Sequence, residues 1–249
     1  MLSMPVIVSL GISIIATSFI SGLFGMAGGM VLMGLLLLVL PVPAAMILHG
    51  VTQMASNGWR AWLWRMHISW ALCAGYTVGA FAALALFAAI QFTPNKAVVL
   101  IFLGVAPLMA LAVPTRLMPD VLRPTHAAGC GFVCTALQLL AGVSGPIFDA
   151  FFVKSGTDRK TQVATKALVQ TLGHSLKLVY FGGIVVSDES NVPVEVLILA
   201  VATAIIGTTL SRRILEGMTD RGFRLWSTRI IAVMAAVYIG EGIWLAVMG

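Results

Sequence analysis

Charge is what this chain has least of. Only 10% of its 249 residues are Asp, Glu, Lys or Arg, against 59% hydrophobic ones, and its mean hydropathy is +1.02. Such a composition cannot cover a globule with a water-exposed surface. Cysteine is scarce too. Cys73, Cys130 and Cys134 lie in apolar stretches with no neighbouring His or carboxylate, so they read as small buried hydrophobes, with neither a disulfide framework nor a metal site expected. The 13 methionines show no His or Cys clustering and read as packing, and no motif calls for a cofactor. The first ten residues lack a basic segment, and the apolar runs recur along the whole chain. A cleaved signal peptide on a soluble protein therefore does not explain them.

The excess of basic over acidic residues, 15 against 9, falls in short loops between apolar runs. There it marks the cytoplasmic face of a membrane protein, and no nucleic-acid partner is expected. Trp59, Trp62, Trp64 and Trp70, with Arg60 and Arg65 among them, read as an interfacial aromatic belt.

Apolar segments near the ~20 residues a bilayer requires fall at 4–23, 43–64, 68–91, 96–113, 125–141, 160–183, 193–211 and 228–247. Two further stretches, 30–40 and 146–153, are too short to cross at ~1.5 Å per residue. Each follows a glycine cluster, Gly25-Met26-Ala27-Gly28-Gly29 or Gly142-Val143-Ser144-Gly145-Pro146, which breaks a helix. Arg212, Arg213, Arg221, Arg224 and Arg229 place an expected loop at 211–229 inside. The segment 183–193, acidic and without Lys or Arg, then falls outside, and 154–160 inside. The same alternation puts Arg60 to His67 and the loop with Arg116 and Arg123 inside, with Lys96 a mild exception outside.

The expected fold is all-α and polytopic: two inverted repeats of about five segments each, a glycine-broken hairpin plus three spanning helices. Residues 1–113 form the first repeat, 114–124 a cytoplasmic linker, and 125–249 the second. At an offset of 116 the two glycine breaks coincide. At 117, His49, Gln53, Asn57 and Arg60 superimpose on Lys166, Gln170, His174 and Lys177. On a helix that spacing keeps each set within about 80° of one face.

Ionisable groups in a span are costly and face a cavity or the bundle interior, so these eight residues form the candidate substrate site, together with Gly25, Gly28, Gly29, Gly142, Ser144 and Gly145. Two alternatives stay open: Arg60 and Lys177 snorkel to the headgroups, or the deeper residues form interhelical hydrogen bonds. Discontinuous helices at matching places of two repeats point to a secondary transporter. Exposed backbone N–H groups with basic neighbours favour an anion, and Lys166 and His49 are expected to supply the charge at the breaks. Asp149 and Glu241 are candidates for coupling, with a structural ion pair the alternative for Asp149.

The break Gly25-Met-Ala-Gly-Gly-Met, its echo Ala141-Gly-Val-Ser-Gly-Pro, and Val163-Ala-Thr-Lys-Ala in the following helix resemble the TauE/SafE family of membrane permeases over nearly the full chain. The resemblance implies export of sulfite, sulfonates or related sulfur-containing anions across the bacterial cytoplasmic membrane, with no enzymatic activity. Lys166 and His49 depart from the small residues usual at their places and put bulk and charge there. A passive anion channel is the nearest alternative. A more distant one is an intramembrane serine protease, in which Ser144 and His174 would form a dyad. The expected partners are a small anion and membrane lipid, and Gly75, Gly79, Ala80 and Ala83 on one span suit helix association in a homodimer.

Overall fold

The computed structural model describes residues 4–24, 27–217 and 220–248. These residues form ten α-helices: α1 Met4–Phe24, α2 Ala27–Val39, α3 Val42–Leu63, α4 Trp70–Ile90, α5 Lys96–Ala112, α6 Pro124–Ala141, α7 Gly145–Phe152, α8 Arg159–Val179, α9 Val194–Gly217 and α10 Asp220–Met248. No strand occurs among the described residues. The expected short arms are α2, of 13 residues, and α7, of 8. At ~1.5 Å per residue neither covers the ~30 Å hydrocarbon core.

Local chemistry fixes the helix ends. Gly142 stops α6 in the left-handed conformation, φ 80°, and its N–H donates to the Gln138 carbonyl at 3.0 Å. Pro146, in the first turn of α7, has no N–H to leave unsatisfied there. Asp158 caps α8 by accepting from the Lys160 and Thr161 N–H groups, and Asn95 caps α5 by accepting from that of Val98.

Four segments are long and apolar enough to span a membrane: Met4–Leu23, Trp70–Ile90, Val194–Ser211 and Thr228–Met248. Large apolar side chains on α4, α9 and α10, among them Val78, Phe81, Ile198, Val233 and Val237, are exposed on their outer faces, as suits contact with lipid. Helices α3 and α8 have the length, 22 and 21 residues, but are more polar because they carry the candidate site. The expected loop at 211–229 is a correction. Both α9 and α10 extend into it, to Gly217 and from Asp220, because Arg, Leu and Glu sustain a helix after the apolar run has ended.

Four helix pairs dominate the packing: α1 with α9, α4 with α6, α3 with α8, and α5 with α10. Glycine contacts give their directions. Gly11 lies against Leu199 and Gly22 against Ser211, so α1 and α9 run parallel. Gly75 meets Ala127 and Gly79 meets Ala128 and Phe132, so α4 and α6 are also parallel. Gly104 faces Ala235 and Gly242 faces Ala97, which makes α5 and α10 antiparallel. Exchanging the first five helices for the last five, in order, turns the α1–α9 pair into α6–α4 and leaves the other two pairs unchanged.

The small-residue face on α4 supports helix association within the chain. A Cβ at Gly79 would collide with the Ala128 carbonyl, and Ala80 and Ala83 are fully buried. That face is taken up by α6 of the same chain, because two helices approach this closely only where Cβ atoms are small or absent.

Candidate functional site

The site lies along the seam between α3 and α8. Their register follows from three contacts: Gly50 against Lys177 and Leu178, Gly58 against Thr171, and the Ser69 N–H donating to Thr165 Oγ1 at 2.9 Å. Numbers rise along α3 as they fall along α8, so the helices are antiparallel. This register sets His49 opposite Lys177, Gln53 opposite His174, Asn57 opposite Gln170, and Arg60 opposite Lys166. His49, Gln53, Asn57, Gln170, His174 and Lys177 are all buried. The polar faces of the two helices therefore meet each other.

At one end of the seam the side chains close on the glycine breaks. Lys177 Nζ donates to His49 Nδ1 at 2.8 Å and to the Gly142 carbonyl at 3.2 Å. His49 Nε2 lies 3.0 Å from the Gly29 carbonyl. With Nδ1 accepting from Lys177, the ring proton is on Nε2 and is donated to Gly29. One side chain from each helix thus ties the two breaks together. Lys177 is fully buried, so it does not snorkel, and no carboxylate pairs with it among the described residues. The His174 ring stands edge-on to that of His49, centroids 5.5 Å apart.

The expected partnership of Lys166 with His49 at the breaks is corrected. Lys166 forms an ion pair with Asp149 of α7, at the other end of the seam. The physical reason is the antiparallel packing. The 117-residue offset superimposes equivalent positions, and in an antiparallel pair equivalent positions lie at opposite ends. In this register Arg60 stands across the seam from Lys166. Arg60 donates to the Ser21 carbonyl at 3.1 Å and to Asn57 Oδ1 at 3.4 Å.

Along the seam and at the second glycine break, several buried polar atoms have no partner: Gln53 Nε2, His174 Nδ1, Ser144 Oγ, and both Nε2 and Oε1 of Gln138. Buried groups left unpaired this way cost about 1–3 kcal/mol each, and a cluster of them is a place for a ligand or water. Gln138 is the residue the sequence reading missed. Its amide is packed against Gly173 of α8, and a lone glutamine one turn before a glycine break was the signal available. Ser144 Oγ makes no hydrogen bond to His174, so the contact that defines a serine–histidine dyad is not made.

The glycines divide by role. Gly29 backs the Gln53 amide, with space for a Cβ at 3.4 Å. Gly28 is needed for close approach, since a Cβ there would collide with the Thr17 carbonyl of α1. Gly145 opens α7 and is buried. Gly25 lies outside the described residues. Glu241 sits 3.7 Å from Lys96, away from the seam, so the basic exception on the expected outer side has an acidic neighbour.

A cavity of about 410 Å³ opens beside the first turns of α3, between Leu40, Ala44, Leu48 and the acidic turn Asp188–Ser190. It reaches Leu48 and stops short of His49, which is fully buried. From that side the seam is closed.

The model of the family described as sulfite exporter TauE/SafE matches residues 10–238. The chain belongs to this family. Members of this family are membrane transporters, which agrees with the multi-pass helical fold. Comparison with curated proteins and with solved structures gives no match.

Proposed function

We propose that this protein exports a small sulfur oxyanion, sulfite or an organosulfonate, across the cytoplasmic membrane by alternating access at the α3–α8 seam. The observation that carries this reading is Lys177: a fully buried lysine amine with no carboxylate partner among the described residues. An uncompensated buried charge is strongly unfavourable, and an anion beside Lys177 supplies the missing countercharge. Charge-assisted hydrogen bonds to an oxyanion are also stronger than neutral ones. The unpartnered Gln53 amide, the Ser144 hydroxyl and the His174 imidazole are donors suited to its remaining oxygens.

Alternating access draws support from the packing. Residues 1–113 and 125–249 act as two repeats of opposite orientation: α3 and its equivalent α8 are antiparallel, and the helix pairs map onto each other when the repeats are exchanged. Transporters built this way bind substrate where the repeats meet, at broken helices. The seam joins both breaks through His49 and Lys177. The basic segments at the Lys166 end of the seam are cytoplasmic in this reading, and the acidic turn at the cavity mouth is external.

The test is a thermal-shift panel on detergent-purified protein. Sulfite and methanesulfonate at about 100 times Kd should stabilise the fold by about 2.7 kcal/mol, and acetate by less. Equal shifts with all three would remove the sulfur-anion assignment, and no shift with any would remove the anion site. Currents in liposomes separate carrier from channel: slow, gradient-driven flux supports a carrier, and large single-channel currents contradict it.

A further inference from the structure

The two ends of the seam are equivalent by the repeat, yet only one of them can close on its own. The pair at the glycine breaks is His49 with Lys177, an imidazole nitrogen facing an amine 2.8 Å away. The 117-residue offset turns this pair into Lys166 with Arg60. Both of those are cations, so the direct contact made at the breaks is repulsive here. Lys166 instead holds Asp149 of α7, and Arg60 holds Asn57 and a backbone carbonyl of α1. This end also remains accessible: the Lys166 and Asp149 side chains are 21% and 49% exposed, whereas His49 and Lys177 have no exposure.

We infer that the Arg60–Lys166 end is a loading position, distinct from the Lys177 site, that closes only around the anion on its way in, that the His49–Lys177 end closes without it, and that Asp149 stands in for the anion on Lys166 while this position is empty. This rests on the transporter reading above and adds its gating rule. An anion between two cations turns repulsion into a bridge, and to reach Lys166 it must displace the Asp149 carboxylate. An empty carrier then rests open toward the basic loops, loads there, and seals that side only when occupied. Among the described residues, the charged groups that face this end of the seam are Arg60 on α3, Lys166 on α8 and Asp149 on α7, with Lys154, Asp158 and Lys160 in the neighbouring basic loop.

The rule can be tested with spin labels at Met66→Cys and Val153→Cys, both exposed positions on the basic-loop side, while the three native cysteines are buried. In the wild-type background, sulfite should convert a long-distance population into a shorter one. Lys166→Glu, which offers Arg60 a carboxylate in place of the anion, should give the short distance without sulfite and show no further change when it is added. Arg60→Glu, the reciprocal swap, should do the same. An anion-free wild type already at the short distance, or charge swaps that keep the long one, would overturn the rule.

Asp149→Asn provides a separate measurement that needs no closed state. Removal of the stand-in carboxylate should tighten sulfite binding about tenfold, a gain of about 1.4 kcal/mol, and unchanged or weaker binding would contradict its role. If sulfite failed to stabilise the wild type at all, the substrate reading would fall, and the charge swaps would still decide whether this end closes around a countercharge.

Discussion

The two ends of the α3–α8 seam are built from equivalent positions and behave differently. At the glycine breaks, His49 and Lys177 satisfy each other and the Gly29 and Gly142 carbonyls, and both are sealed from solvent. At the basic loops, Arg60 and Lys166 are two cations with a borrowed carboxylate. Near-symmetry in fold thus coexists with asymmetry in charge. A transporter needs two equivalent conformations, but its two gates need not obey the same rule, and single side-chain differences between repeats suffice to separate them.

The largest expected effect that would sharpen this comparison comes from Lys177→Met. It removes the buried amine while keeping much of its volume. Sulfite-dependent stabilisation should fall to the weaker share that loading at Lys166 supplies, whereas the ligand-free melting temperature should hold or rise, because removal of a buried amine without a countercharge offsets the orphaning of His49 Nδ1, about 1–3 kcal/mol. A collapse of ligand-free stability would show that the amine is structural.

Next in size is Gly28→Ala at the hairpin of the first repeat, where the new Cβ meets the Thr17 carbonyl. Overpacking of this kind costs about 1–3 kcal/mol, which should appear as a lowered midpoint in thermal unfolding. Gly58→Ala on the same seam puts its Cβ 3.6 Å from Thr171, an ordinary contact, and replaces a helical glycine. It should be stabilising by up to about 1 kcal/mol. The contrast tests whether the α1–α2 approach or the α3–α8 approach is the tighter one.

The smallest effect concerns Asp158, the cap of α8 on the basic-loop side. The Thr161 hydroxyl and N–H, with the Lys160 N–H, hold its carboxyl below the usual carboxylate range. A depressed folded-state value means that its stabilisation is fully present above the unfolded value and disappears as pH falls through the folded one. Acidification through the carboxylate range should therefore fray the first turn of α8, seen as faster amide exchange at Lys160 and Thr161. The Asp158→Ala variant should lack this pH dependence.

Much of this was legible in the sequence. Apolar runs and glycine clusters located the helices, because length and hydropathy are the constraints a bilayer imposes. The polar positions 49, 53, 57 and 60, and their equivalents, were legible because a charged or amide group in a span is too costly to be incidental. Pairing was not legible. An offset aligns Lys166 with His49, but only the antiparallel packing brings Lys177 to His49 and leaves Lys166 with Asp149. Gly75 and Gly79 likewise announce a close helix contact without saying whether the partner lies in the same chain. The helical continuation of α9 and α10 past the apolar run was missed because hydropathy marks the edge of the membrane and not the end of a helix.

The most direct test of the central claim is sulfite flux from proteoliposomes carrying wild type or Lys177→Met, measured beside binding on the same preparations. The account predicts saturable efflux from wild type, and weakened binding with no efflux from a folded Lys177→Met variant. Wild-type efflux and affinity in that variant would contradict it, and would move the anion site away from the junction of the two glycine breaks.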